Sequence, residues 1–196
     1  MNIAVFGTVG AGKSTFCDIL KEKLKYTLFR EPLDHNPYFE DYYREMEKYC
    51  FQMQVFMLTN RVESLFEYSK WDNTIFDRSI IEDPIFVRVQ RRLNIFSERD
   101  FKTYYDFYNK VIMKILNEKL KIDKIIYLKV TTETAIRRIN ERGRKSEIDT
   151  PNEYWDVLND EYDKLYCDLK NKYEFIVIDA NTDDLDTKIN QAIKNL

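Results

Sequence analysis

An α/β fold with a mostly parallel sheet is what this 196-residue chain predicts, on two observations. Short apolar runs rich in β-branched and aromatic residues recur along it, and longer amphipathic stretches separate them. The runs at 3–6, 27–30, 74–76, 125–130 and 175–178 suit strands buried on both faces. Helical patterns fill the intervals at about 13–24, 37–70 (two helices), 80–92, 97–120, 132–142, 151–171 and 183–195. Strands that alternate with helices pair in parallel, with helices on both sides of the sheet. No repeat, low-complexity tract or linker interrupts the pattern, so residues 1–196 read as a single domain. The acidic run at 183–186 is short and reads as a cap on the last helix.

Composition narrows the function. Charged residues make up 33% and hydrophobic ones 44%, with a net charge of -3, so no global basic field points to nucleic acid or an anionic membrane. No apolar run approaches the ~18 residues of a membrane span. The chain opens Met-Asn-Ile-Ala-Val-Phe and enters a strand at once, which predicts no signal or transit peptide. Cys17, Cys50 and Cys167 are odd in number and widely spaced. They read as thiols of a reducing cytoplasm, not as a disulfide framework or zinc site. Two scarcities say more. Of four glycines, Gly7, Gly10 and Gly12 fall within six residues and the fourth is Gly143. His35 is the only histidine, which shifts acid–base work to carboxylates.

The run Gly7-x-x-x-x-Gly12-Lys13-Ser14 follows an apolar strand and opens an amphipathic helix, the context of a phosphate-binding P-loop. Its glycines let the backbone N–H groups of Gly7, Thr8, Val9, Gly10, Ala11 and Gly12 turn inward around phosphate oxygens. The helix N-terminus at Lys13, Ser14 and Thr15 adds a favourable dipole. Lys13 brings a mobile positive charge to the β- and γ-phosphates, and the Ser14 hydroxyl can ligate Mg²⁺. Residues 7–15 are thus the predicted ATP site. Too few glycines remain for a GTPase Asp-x-x-Gly or an ABC-type signature, and Asn-Lys-x-Asp is absent. A kinase for a small acceptor is left in front.

The acceptor side is read from strand ends, where open parallel sheets bind ligands. Glu31, before Pro32, follows the second strand and can accept the proton of an attacking hydroxyl; a capping or surface role is the alternative. Asp77-Arg78-Ser79 ends the third strand. Asp77 can hold Mg²⁺ and Arg78 can neutralise the transferring phosphoryl group, unless the two are a local salt bridge. Arg138 and Arg142 share a helix face, and Gly143 lets the chain leave the helix so that Arg144 also points inward. Three guanidiniums converging on polyphosphate make an arginine-rich lid at about 138–150; a solvated basic helix end is the alternative.

With these residues in place, the chain resembles the deoxyribonucleoside kinase family, in particular the bacterial deoxyadenosine/deoxyguanosine kinases. Five ordered landmarks span it: the P-loop, Glu31-Pro32, Phe51-Gln52-Met53-Gln54 through Arg61, Asp77-Arg78-Ser79 through Asp83, and Arg138-x-x-x-Arg142-Gly143-Arg144-x-x-Glu147. The resemblance implies a three-layer P-loop kinase fold with five parallel strands in the order 2-3-1-4-5. It implies Glu31 as base toward the 5′-hydroxyl, with Arg78 beside it, and Tyr43 and Glu147 on the sugar 3′-hydroxyl. Gln54, preferred over Gln52, would bond the base, with the Arg61–Asp83 pair facing its edge and Phe86 and Met53 sandwiching the ring. Core packing is the alternative for Phe86, and an aromatic cluster with Tyr42 and Tyr49 for Tyr43. Asp77 stands where many relatives carry Glu, which shortens its reach to the metal. Asp183 falls near the loop around the ATP adenine.

A carboxylamide offers one donor and one acceptor, matching adenine or cytosine, and an Arg–Asp pair serves adenine, guanine or cytosine. The 5-methyl of thymine would press on desolvated charges. The expected reaction is therefore transfer from Mg²⁺·ATP to a deoxyribonucleoside, deoxyadenosine foremost, then deoxyguanosine or deoxycytidine. The helices at about 51–70 and 97–120 have apolar faces long enough to build an interface, and the resemblance implies a homodimer; an end-product deoxynucleoside triphosphate is a candidate inhibitor that the sequence leaves open. The rival is a nucleoside monophosphate kinase of the thymidylate kinase type, which shares Glu-Pro and Asp-Arg but carries glycines after Glu-Pro where this chain has none. A non-catalytic nucleotide-binding regulator is the other.

Overall fold

A computed structural model describes residues 1–30, 36–68, 72–116 and 121–196. Five strands form one sheet: β1 (Ile3–Phe6), β2 (Thr27–Phe29), β3 (Thr74–Asp77), β4 (Lys124–Lys129) and β5 (Glu174–Asp179). All pair in parallel in the order β2-β3-β1-β4-β5, the order the family resemblance implies. Central β1 is buried along its whole length, as its unbroken apolar run requires. On one face Ile3, Val5, Ile75, Ile126 and Ile178 pack with Phe16, Cys17 and Leu20 of α1 (Lys13–Leu24) and with Ile189 and Ala192 of the last helix, Leu185–Asn195. On the other, Tyr127 stacks on Tyr162 of the helix Asn152–Leu169 and donates its hydroxyl to Asp163 at 2.8 Å.

The chain divides into two compact units. The first spans 1–31, 72–79 and 122–196 and holds all five strands. The second spans 32–71 and 80–121 and is helical. Its helices are α2 (Phe39–Arg44), α3 (Met46–Tyr68), α4 (Asp83–Arg92), α5 (Glu98–Phe107) and α6 (Met113–Leu116). The expected pair of helices over 37–70 is thus present as α2 and α3. A 3₁₀ turn at Ile80–Glu82 leads into α4, and Pro84 in its first turn needs no intrahelical donor.

The stretch expected to be one helix over 97–120 contains a π-helical turn, Tyr108–Ile112, between α5 and α6. The physical reason lies in its four-residue repeat. Tyr104, Tyr108, Ile112 and Leu116 are buried, while Phe107, Val111 and Ile115 are exposed. In an unbroken helix of 3.6 residues per turn, positions spaced by four drift steadily around the axis. The wider π turn takes more residues per turn and brings both stripes back onto constant faces.

In the first unit, α7 (Thr132–Arg142) starts at Thr131, whose side chain accepts from the Thr134 N–H, and ends at Gly143. A short helix, α8 (Lys145–Ile148), follows where the sequence suggests loop; α9 is Asn152–Leu169 and α10 is Leu185–Asn195. Asp184 caps α10 by accepting from the Thr187 N–H, as its acidic run predicts. Cys17 and Cys50 are buried and Cys167 is exposed, all as free thiols. Among the described residues no helix is long and apolar enough to cross a membrane.

Candidate active site

The phosphate loop joins β1 to α1. Gly10 has φ +83, and a Cβ there would lie 2.4 Å from the Ala135 carbonyl oxygen of α7, so only glycine permits this approach of loop and helix. Lys13 is buried at 7% exposure, and its Nζ donates to the carbonyls of Gly7 (2.6 Å) and Thr8 (2.9 Å). Thr8 and Ala11 are buried, while Gly12, Ser14 and Thr15 are exposed and Val9 is half-buried. The first N–H groups of α1 lack intrahelical acceptors by helix geometry, so this rim of the loop is a ready anion site.

Ser14 Oγ donates to Asp77 Oδ2 at 2.7 Å, which brings the two expected metal residues together despite the short aspartate side chain. A hydroxyl and a carboxylate are hard oxygen donors, and Mg²⁺ characteristically takes one or two protein oxygens and completes its shell with phosphates and water. The pair fits that ion. Among the described residues no cluster of three or more His, Cys, Asp or Glu side chains forms a protein-only cage.

Arg78 is buried and adopts φ 72, left-handed for a residue with a Cβ, while its N–H reaches the Val5 carbonyl at 3.4 Å. That conformation costs about 1–2 kcal/mol. Strain of this kind persists where the surrounding structure dictates the position of a side chain.

The lid arginines divide into two groups. Arg138 donates to Asp183 Oδ1 (2.7 Å) and to the Thr182 carbonyl (3.0 Å), and Arg137 joins it on Asp183. Hydrogen bonds from Arg138, then Arg137, hold the Asp183 carboxyl below the ordinary carboxylate range. Arg142 and Arg144 instead pair with Glu147 of α8, Arg144 at 3.4 Å. The three expected guanidiniums do not converge here: four residues of spacing place Arg138 and Arg142 on one face, but acidic partners at the two ends of that face draw them apart. Gly143, at φ 77, turns the chain so that Arg144 opens α8, and Glu147 becomes 3% exposed between the two arginines. Lys188, which the sequence did not single out, joins the Asp183 cluster. It is 7% exposed and donates to the Thr182 carbonyl, and burial, then the Arg138 charge, lower its pKa.

The second unit holds the residues expected around the base. Gln54 and Arg61 lie seven positions apart on α3, hence on one face. Both are buried, at 4% and 3% exposure. Arg61 Nη1 pairs with Oδ1 of Asp83, the fully buried first residue of α4. Asp83 Oδ2 has no hydrogen-bond partner among the described residues. The Gln54 carboxamide likewise makes no hydrogen bond to another described residue. Met53 is buried, and Asn36 Nδ2 approaches its sulfur at 3.0 Å. Phe86 is half-buried on α4, unlike its buried neighbours Ile85 and Val87. Tyr43 is half-buried, edge-on to Phe39 and Tyr42, and the deeper Tyr42 accepts from Gln90 Nε2 at 2.8 Å. Glu31, the expected base, lies outside the described residues.

Comparison with known proteins decides the family. The deoxynucleoside kinase family model matches residues 3–195, nearly the whole chain. The chain belongs to the deoxynucleoside kinase family. It is an ATP-dependent phosphotransferase with the P-loop kinase fold. A solved structure of deoxyadenosine kinase from M. mycoides with bound dATP superposes with a TM-score of 0.92 at 45% identity, covering 100% of this chain and 98% of that one. The deoxyadenosine/deoxycytidine kinase of Bacillus subtilis (strain 168) is 34% identical over 165 residues, 82% of this chain and 74% of its own. A deoxyguanosine kinase of Lactobacillus acidophilus is 32% identical over 173 residues, 88% of this chain and 75% of its own. None of these comparisons supports the thymidylate kinase alternative.

Proposed function

We propose that this deoxynucleoside kinase transfers the γ-phosphoryl group of ATP to the 5′-hydroxyl of deoxyadenosine, with deoxyguanosine and deoxycytidine as further substrates. The observation that carries the base preference is the buried Gln54 carboxamide, two turns from the Arg61–Asp83 pair and engaged by no other described residue. Buried amides are nearly always bonded, so an unengaged one marks a ligand contact. Its donor and acceptor match adenine N6 and N7, and the charged pair disfavours the methyl group of thymine.

The residue roles follow the same chemistry. Lys13 exchanges the loop carbonyls for β- and γ-phosphate oxygens, as the backbone of residues 7–15 takes up the polyphosphate. Ser14 and Asp77 would hold Mg²⁺, which would offset negative charge on the phosphates. Arg78, Arg142 and Arg144 stabilise charge on the transferring group, and Glu31 takes the hydroxyl proton. Tyr43 and Glu147 bind the sugar 3′-hydroxyl, and Arg138 with Asp183 borders the ATP adenine. Phe86 and Met53 flank the base. A deoxynucleoside triphosphate that carries both a fitting base and a polyphosphate is the proposed end-product inhibitor.

ATP consumption measured with the four deoxynucleosides and with their monophosphates tests this reading. Turnover should be greatest with deoxyadenosine, least among nucleosides with thymidine, and strongly reduced by Glu31→Gln at unchanged ATP affinity. Turnover confined to monophosphates would overturn it.

The protein is further proposed to act as a homodimer in the cytoplasm. Phe107, Val111 and Ile115 expose an apolar stripe along α5 and α6, at 42%, 40% and 50%, and Phe66 of α3 is 39% exposed. Monomers seldom leave such stripes in water. Light scattering should return the mass of two chains, and Val111→Lys the mass of one; a single-chain mass for the unaltered protein would remove the proposal.

A further inference from the structure

Gln90 of α4 is 0% exposed, on a helix whose buried side chains otherwise include the apolar Ile85, Val87 and Val89. Its Nε2 donates to the Tyr42 hydroxyl at 2.8 Å, and its Oε1 is buried with no hydrogen-bond partner among the described residues. A carboxamide buried with one pole unmet carries a cost that leucine, of similar volume, would not. Packing alone therefore does not account for a glutamine here. Its bond to Tyr42 does.

Tyr42 belongs to α2, a helix of six residues. So short a helix is not stable through its own hydrogen bonds and takes its position from what it packs against. Tyr42 is its buried residue, at 2% exposure, so the Gln90 amide ties α2 to α4 by the deepest side chain α2 has. The next residue, Tyr43, is half-buried and stands between two rings. Its ring centroid is 5.0 Å from that of Tyr42, with 70° between the planes, and 5.2 Å from that of Phe39, with 61°. Edge-to-face contacts of this kind favour one orientation of a ring. The Tyr43 hydroxyl thus lies where the placement of α2 and the tilt of the Tyr42 ring put it. A hydrogen bond made there is sensitive to both, because it weakens steeply as its angle falls off.

We propose that Gln90 is a positioning residue for recognition of the sugar, acting through Tyr42: by holding the Tyr42 hydroxyl it fixes α2 and the plane of the Tyr43 ring, and with them the selectivity for nucleosides that carry a 3′-hydroxyl. This rests on Tyr43 meeting that hydroxyl. The substrate class is narrowed accordingly, and 3′-deoxy analogues are disfavoured by a geometry that a neighbouring helix sets.

The test is kcat/KM for deoxyadenosine and for 2′,3′-dideoxyadenosine, measured well below the unfolding midpoint of each variant. Gln90→Leu keeps the volume and should lower the deoxyadenosine-to-dideoxyadenosine ratio about fivefold, mainly by raising KM for deoxyadenosine, with KM for ATP unchanged. Tyr42→Phe keeps the ring, removes the hydroxyl that Gln90 holds, and should lower the ratio to a similar extent. In a Tyr43→Phe background, where the 3′ contact is already lost, Gln90→Leu should change the ratio no further. A glutamine with a purely structural role would lower the midpoint and leave the ratio untouched, or lower kcat/KM for both nucleosides equally; either result overturns the proposal. If Tyr43→Phe lowers the ratio and Gln90→Leu does not, the role of Gln90 falls and the reading of Tyr43 stands. If Tyr43→Phe leaves the ratio unchanged, the reading of Tyr43 falls, and the inference with it.

Discussion

In the phosphate loop and lid most functional side chains have protein partners: Lys13 holds two loop carbonyls, Ser14 holds Asp77, Arg138 holds Asp183, and Arg142 and Arg144 hold Glu147, while the buried Thr8 hydroxyl has none among the described residues. In the helical unit, Gln54, Asp83 Oδ2 and the Tyr104 hydroxyl are buried and unengaged by other described residues. The contrast teaches two ways of building a binding site. On the phosphate side a ligand replaces the existing partners of these side chains. On the base side a ligand supplies partners that the other described residues do not, at a cost in stability that binding removes.

Substituting one residue on each side should separate these two modes, because activity falls in both cases and stability moves in opposite directions. The larger effect belongs to Lys13→Met. Loss of a preorganised cation at the phosphates should lower kcat/KM by about 10²–10³-fold in steady-state assays. The same change removes two buried hydrogen bonds, so chemical denaturation should show the variant less stable by roughly 1–3 kcal/mol. An unchanged or raised stability would mean that Lys13 too waits for its ligand, and the contrast would disappear.

Much of this was legible in the sequence. Apolar runs and their spacing placed all five strands to within a residue or two, because strands buried on both faces leave an unbroken apolar signature. The P-loop was legible because its chemistry requires fixed residue types at fixed spacing in one local segment. The π turn at Tyr108–Ile112 was not, since a four-residue repeat of apolar residues also fits an ordinary helix read loosely. Nor were the partners of the arginines. Helical spacing tells which face Arg138 and Arg142 share, but Asp183 comes from 45 positions further along the chain, and Glu147 is buried only because α8 forms. Gln90 carries no motif; its bond to Tyr42, 48 positions back along the chain, is visible only once α4 and α2 are folded together.

The most direct measurement is thermal unfolding of Gln54→Leu beside the unaltered protein, each with and without deoxyadenosine. Leucine fills nearly the same volume and removes a buried amide that no other described residue bonds. The variant alone should therefore be more stable, by about 1–2 kcal/mol. Deoxyadenosine should raise the midpoint of the unaltered protein by several degrees and that of the variant far less. A variant that is less stable than the unaltered protein, and that deoxyadenosine stabilises equally, would contradict the account.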